Sequence, residues 1–176
     1  MNIRAATRLD KDAIYSVHWA AFSEEERKTV AQLAVDLLLE QTAPRTVSLV
    51  AEIEENIVGH AAFSPATVVE DDTFLGFILS PLGVAPKYQK QRLGTKLVES
   101  GLQEVSSMGA DVVFVYGDPN YYGQFGFSAQ TAKHYVPPYQ LQHPYGWQAI
   151  AISDRAERTT PINLVVVNSL RDSTLW

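Results

Sequence analysis

The sequence predicts an α/β fold, a mixed sheet with helices on both faces. Three observations predict it. Short β-rich apolar runs alternate with segments whose apolar residues recur at helical spacing. "TFLGFILSPLGV" (73–84) and "DVVFVYG" (111–117) are apolar on both faces, as strands covered on both sides are. The elements follow in the order β-α-α-β-β-β-α-β-α-β-β, which suits a layered α/β sandwich with a mixed sheet. At 176 residues the chain reads as one domain. Its parts are an N-terminal strand, helices and hairpin (1–70), a core (74–127) and C-terminal strands (128–176).

"NIRAAT" is the first strand. Asp10 caps a helix running to about Phe22, with Ile14, Val17, His18 and Ala21 on one face. A second helix opens at Ser23 with acidic residues, which suit a helix N-terminus, and carries Val30, Leu33, Leu37 and Leu38 at helical spacing. Pro44 ends that region. Two β-rich runs then flank the polar turn Glu54, Glu55, Asn56 as a hairpin. After the strand at 73–84, Leu93, Leu97, Val98, Gly101, Leu102, Val105 and Met108 form a helical stripe that Gly109 stops. A buried strand, an aromatic turn from Pro119 to Gly126 and two strands, "WQAIAI" and "INLVVV", complete the chain.

Composition excludes several classes. With 46% hydrophobic and 19% charged residues the chain is globular rather than disordered. It has no cysteine, so disulfides, thiolate metal sites and a cysteine nucleophile are excluded, and a reducing cytoplasm is the expected compartment. "MNIRAATRLDKD" lacks a secretory core, and no apolar run approaches the ~20 residues of a membrane helix. A net charge of −6 argues against nucleic acid as a partner and is compatible with cationic ones such as amines. The four histidines, at 18, 60, 134 and 143, show no metal-ligand spacing; no metal is expected, and each reads as structural.

The joint between the strand at 73–84 and the next helix carries the chemistry. A strand running into a helix leaves unpaired N–H groups at the corner, and with the helix dipole these form an anion site. Gly94 permits close approach or a positive φ. Lys87, Lys90, Arg92 and Lys96 add charge unusual in so acidic a chain. The inference is a phosphate or pyrophosphate site. Neither G-x-x-x-x-G-K-[ST] nor G-x-G-x-x-G is present, so neither a P-loop NTPase nor a Rossmann dehydrogenase is expected. Just before the corner, Pro81 cannot donate to a ladder and Gly83 marks a bulge or bend.

"LGVAPKYQKQRLGTKLV" resembles the acyl-coenzyme A loop of the GNAT superfamily of N-acetyltransferases, [QR]-x-x-G-x-[GA]. Gln89 and Gly94 hold its first and last positions, and Arg92 stands where the family has its first glycine. "GDPNYYGQFGF" (117–127) resembles the family's Tyr-x-x-x-Gly-Phe element, with Tyr122, Gly126 and Phe127 in register. The combination looks most like the small bacterial predicted acetyltransferases of that superfamily. The resemblance implies a GNAT-type, mostly antiparallel sheet with a splayed strand pair that opens a V-shaped slot, and acetyl-coenzyme A as cosubstrate. It also implies cofactor contacts at Leu82, Gly83, Val84, Gln89, Lys90, Gln91, Arg92, Leu93, Gly94 and Thr95, with Asn120 and Phe125 lining the slot. Backbone amides of 89–94 would hold the pyrophosphate, and a donor near Val84 would face the thioester oxygen. Tyr122, protonated at neutral pH, would donate to the leaving thiolate.

The reading is then an acyltransferase that moves an acetyl group to a primary amine of a small molecule, peptide or protein by direct attack. The alternative is a GNAT-fold module that binds or senses acyl-coenzyme A without turnover. Arg92 and the lack of an evident base speak for the alternative; the Tyr122 motif speaks for the enzyme. Glu70, Asp71, Asp72 and Asp118 are the acids nearest the core in sequence, and each reads as a loop acid or turn former. Residues 128–176 are expected to complete the acceptor side; within them the aromatic "KHYVPPYQLQHPYGWQAI" reads first as a rigid cover over the core, with an aromatic wall of the acceptor pocket as the alternative. A homodimer is compatible with the sequence.

Overall fold

The computed structural model describes residues 1–176. The chain divides into two compact units, Met1–Phe63 with Ser80–Glu104, and Ser64–Leu79 with Val105–Trp176. Two long strands contribute residues to each: β3 (Asn56–Val68) and β4 (Gly76–Val84).

In the first unit β1 (Asn2–Ala5) lies antiparallel to β2 (Val47–Ile53), from Asn2↔Glu52 to Ala5↔Leu49. β2 lies antiparallel to β3, from Val47↔Phe63 to Ile53↔Asn56. The hairpin turns on Glu54 and Glu55, both left-handed at φ 49° and 63°, a two-residue geometry whose twist matches the flanking strands. Helices α1 (Lys11–Ala21) and α2 (Arg27–Leu39) pack on this sheet through Ile14, Ala34 and Val50, with Ala6, Leu38 and Ile57 around them. α2 begins at Arg27, later than expected, because Ser23 and the acidic residues form a turn in which the Ser23 carbonyl accepts from the Glu26 and Arg27 amides. Asp10 does precede α1, but Arg4 takes its carboxylate at 2.8 Å while also reaching Glu52 at 2.6 Å, tying β1 to the helix start.

Alternation along β3 sets which helix covers which face. His60 points to α1, where its ring meets His18. Gly59 points the other way, to Leu97 of α3 (Leu93–Ser107), and Phe63 on the same side packs where Gly101 of α3 lacks a Cβ. So α1 and α3 cover opposite faces of the sheet. Gly109, at φ 88°, ends α3's turn as expected.

In the second unit β4 runs parallel to β5 (Val112–Tyr116), from Gly76↔Val112 to Leu79↔Val115. β7 (Trp147–Ala151) pairs antiparallel with β5, and β8 (Ile162–Val166) with the end of β3; β6 (Tyr135–Val136) runs parallel to β8. The resulting sheet is mixed and mostly antiparallel. Two short helices, α4 (Pro119–Tyr122) and α5 (Ala129–Ala132), precede β6. The core is aromatic: Phe114 stacks on Trp147 with 5.3 Å between centroids and meets Tyr135 edge-on. The polar tips are satisfied, Trp147 Nε1 donating to the Tyr135 carbonyl and Tyr135 Oη to that of Ala156. No helix is long and apolar enough to cross a membrane.

Candidate active site

The β4–α3 corner is built locally. Pro86 starts a 3-10 turn, and Tyr88 and Gln89 donate their amides to the carbonyls of Ala85 and Pro86. The Gln89 side chain folds back, Nε2 donating to the Val84 carbonyl at 3.0 Å, which fixes the turn to the strand it leaves. Lys90 and Arg92 are left-handed, at φ 61° and 62°, with Gln91 between them. Alternating handedness of this kind turns successive amides toward one side and makes an anion-binding concavity. Lys96 N is the first amide of α3 to find a helical acceptor, the Arg92 carbonyl. The amides of residues 92–95 donate to no acceptor within the chain. Lys87, Lys90, Arg92 and Lys96 are exposed and form no ion pair. A left-handed non-glycine residue costs about 1–2 kcal/mol, and such strain concentrates at ligand sites.

Upstream, β4 presents Leu82 and Val84 half-buried and Gly83 buried. Gly83 faces α1: a Cβ built on it would lie 2.7 Å from His18 Nδ1, so glycine is required here by close approach. His18 Nε2 shares a hydrogen bond with His60 Nδ1 at 2.8 Å, and His60 Nε2 another with Ser48 Oγ at 2.9 Å. Both rings are fully buried. Burial pulls the His18 pKa down to about 4 and holds His60 well below its ordinary value, with His18 adding to the effect on His60. Both imidazoles are therefore neutral at pH 7. His18 Nδ1 is buried with no partner.

The second unit carries the aromatic turn. Asp118 caps α4 by accepting the Asn120 amide at 2.9 Å, Pro119 occupies the first helical position, and Gly126 closes the turn at φ 96°. Tyr122 is held edge-on between Tyr121, at 5.0 Å, and Phe127, at 5.9 Å. Its ring fills the space left by Gly117, where a Cβ would lie 2.6 Å from Cε2. Burial first, then Tyr121, pushes the Tyr122 hydroxyl well above the ordinary phenol range, so it keeps its proton. Phe125 is half-buried against Tyr121, and Asn120 is exposed.

A family model described as an acetyltransferase (GNAT) domain matches residues 2–129. The chain belongs to the GNAT acetyltransferase family. Two relatives from Escherichia coli strain K12 agree. The uncharacterized N-acetyltransferase YjhQ is 37% identical over 121 residues, 66% of this chain and 67% of that protein. The uncharacterized N-acetyltransferase YhbS is 36% identical over 138 residues, 77% of each chain. The E. coli YhbS crystal structure in complex with CoA matches with a TM-score of 0.79 at 26% identity, covering 97% of this chain and 92% of that one. A GNAT family acetyltransferase from Brucella melitensis in complex with acetyl-CoA matches with a TM-score of 0.69 at 25% identity, covering 96% of each.

In this GNAT chain the expected residues fall into two groups. Leu82, Gly83, Val84 and residues 89–95 form one continuous stretch of the first unit, and Asn120, Tyr122 and Phe125 share one turn of the second. Gly94 was expected to permit close approach or a positive φ; it lies in the first turn of α3, and the left-handed positions are Lys90 and Arg92. Asp71 is occupied by Thr73, Arg158 and Arg155, and Asp118 by its cap, so both are turn formers. The histidine pair escaped the sequence, which offered each ring separately. The signal available was His18 on the buried face of α1 and His60 within a β run. In the C-terminal part, Pro137, Pro138 and Tyr139 line a cavity of about 690 Å³ floored by Tyr135 and Trp147.

Proposed function

We propose that this chain transfers an acetyl group from acetyl-coenzyme A to a primary amine by direct attack, in the cytoplasm and without a metal. One observation carries the reading: residues 92–95 present a run of amides with no acceptor in the chain, at a helix N-terminus among four exposed cations. Such a corner suits a diphosphate. The complexes of E. coli YhbS with CoA and of the Brucella protein with acetyl-CoA support it.

In this reading the free amides that follow Gln89, whose own amide is taken by the Pro86 carbonyl, hold the diphosphate, and Arg92 adds a charge-assisted contact. The β4 segment 82–84 binds the pantetheine arm as an added strand, and an amide there stabilises the thioester oxygen as charge builds. The register of β4 with β5 runs to Leu79 and Val115, while β4 continues to Val84, which supports a free edge for that arm. The amine lone pair attacks the carbonyl carbon, and the attacking nitrogen gives up one proton that ends in solvent. The C–S bond breaks with its electrons on sulfur, Tyr122 donates its proton to that sulfur, and solvent returns a proton to Tyr122. Asn120 and Phe125 share the turn that carries Tyr122, and the cavity beside Tyr139 belongs to the acceptor side.

The alternative, a module that binds acyl-coenzyme A without turnover, drew on Arg92. That ground weakens because Arg92 adopts the left-handed conformation a glycine would. Calorimetry with acetyl-coenzyme A, followed by a thiol assay over a panel of primary amines, tests the reading. The chain has no cysteine, so every thiol detected is released coenzyme A. Binding with amine-dependent thiol release is expected. Binding without release would establish the sensor, and no binding at submillimolar concentrations would defeat both.

A further inference from the structure

The hydrogen-bonded chain Ser48–His60–His18 lies entirely within the first unit and has two distinct ends. At one end, Ser48 lines a cavity of about 350 Å³ among polar residues that include Thr42, Arg45 and Thr46. At the other, His18 Nδ1 is buried without a partner and lies against the bare Cα of Gly83. Gly83 sits in the β4 segment to which the proposed function assigns the thioester. Two buried neutral imidazoles joined nitrogen to nitrogen form a proton path, because each ring accepts on one nitrogen and donates from the other. An orphaned buried nitrogen costs about 1–3 kcal/mol, so its persistence at this position asks for a use.

The geometry points to His18 as the proton acceptor for the incoming amine, with His60 and Ser48 conducting that proton to the cavity. This rests on the acetyltransferase reading. In the resting tautomers His18 Nε2–H donates to His60 Nδ1, His60 Nε2–H donates to Ser48 Oγ, and His18 Nδ1 carries a lone pair. The amine nitrogen bonds to the thioester carbonyl carbon and becomes positively charged. It gives one proton to Nδ1 through one water. The Nε2 proton of His18 moves to His60 Nδ1, the Nε2 proton of His60 moves to Ser48, and the Ser48 hydroxyl proton passes to water in the cavity. The C–S bond then breaks, and its electron pair leaves on sulfur. After product release the Nδ1 proton is lost to water, and one returns through Ser48 to restore the tautomers. Over the cycle one amine proton reaches solvent and neither ring need hold a charge. That fits rings that burial keeps neutral at pH 7.

The test has two parts. Nitrogen-15 histidine NMR on the wild-type chain reports the tautomers and needs no variant. His18 should show a bare Nδ1 and a protonated Nε2; a protonated Nδ1 overturns the proposal. Kinetics then use His18→Gln, which keeps a polar atom for His60 at the Nε2 position and deletes Nδ1, and His60→Asn, which keeps the contact to His18 and cuts the path to Ser48. Each should lower kcat for amine acetylation by about 100-fold with the KM for acetyl-coenzyme A unchanged. An undiminished kcat in His18→Gln, with the wild type active, overturns the relay and leaves the acetyltransferase reading standing. A wild type that releases no thiol with any amine defeats that reading and the relay with it.

Discussion

Arg92 shows how a single residue can oppose stability and binding. It occupies a left-handed position at φ 62° where a glycine would be relaxed, yet its guanidinium is exposed at the corner assigned to a diphosphate. Replacing it with glycine relieves strain and removes a charge. Arg92→Gly should raise unfolding stability in urea by up to about 1 kcal/mol, while weakening coenzyme A by about tenfold in calorimetry. A variant that gained affinity would place the side chain away from the cofactor. Tyr122→Phe removes only the hydroxyl. Acetylation should fall about 100-fold with coenzyme A affinity little changed, and an unaltered rate would end the donor role. His18 predicts an acid limb in stability. Its folded pKa of about 4 lies below the ordinary 6.5, so between those values the unfolded chain binds the extra proton. Stability is therefore complete above the unfolded value and falls as pH drops toward the folded one. From pH 7 to pH 4 the loss from His18 is on the order of 3 kcal/mol, with His60 adding in the same direction. Urea titrations across that range should show the decline, and His18→Gln should flatten it.

At the scale of elements, α1 and β4 are locked by the fit of His18 against Gly83. Gly83→Ala would force a Cβ to 2.7 Å from a buried ring that His60 holds from behind, so strand or helix must shift. The expected cost is about 1–3 kcal/mol, with acetyl transfer lowered because the proposed function assigns the thioester to the same strand segment. A crystal structure of the variant with α1 and β4 undisplaced and activity intact would refute that coupling. The β4–α3 corner was legible because its parts are sequential: Gln89, the cations and the helix stripe lie within one short stretch. The conformation of that stretch was not. Left-handed Lys90 and Arg92 are backbone choices that the residue types do not favour. α5 and β6 were missed for another reason, since elements of four and two residues carry no periodicity to detect.

For the molecule as a whole, the order of elements along the chain followed from apolar patterning, and the functional family from two short motifs. What stayed hidden were contacts set by register rather than by composition. His18 and His60 stand 42 positions apart, and only the α1 packing angle and the β2–β3 pairing bring them together. Asp10 was read correctly as a helix start, but its partner, Arg4, depends on how β1 lies on β2. Charge, by contrast, is a global property that was plain from the start. A chain of net charge −6 that keeps four unpaired cations at one corner should bind a polyanion with marked salt dependence. Coenzyme A affinity should fall several-fold between about 0.05 and 0.5 M NaCl, and a flat calorimetric series would argue that these cations do not face the cofactor.

The two-residue hairpin at Glu54 and Glu55 has a reach out of proportion to its position in solvent. It counts off the residues of β3 against β2, and so decides that His60 stands opposite Val50, on the side of Ser48. One amino acid inserted there would rotate every later side chain of β3 by half a turn, sending the imidazole toward α3 and a neighbouring small residue toward α1. An edit to an innocuous surface loop would thus disconnect the buried polar wire without touching any of its members.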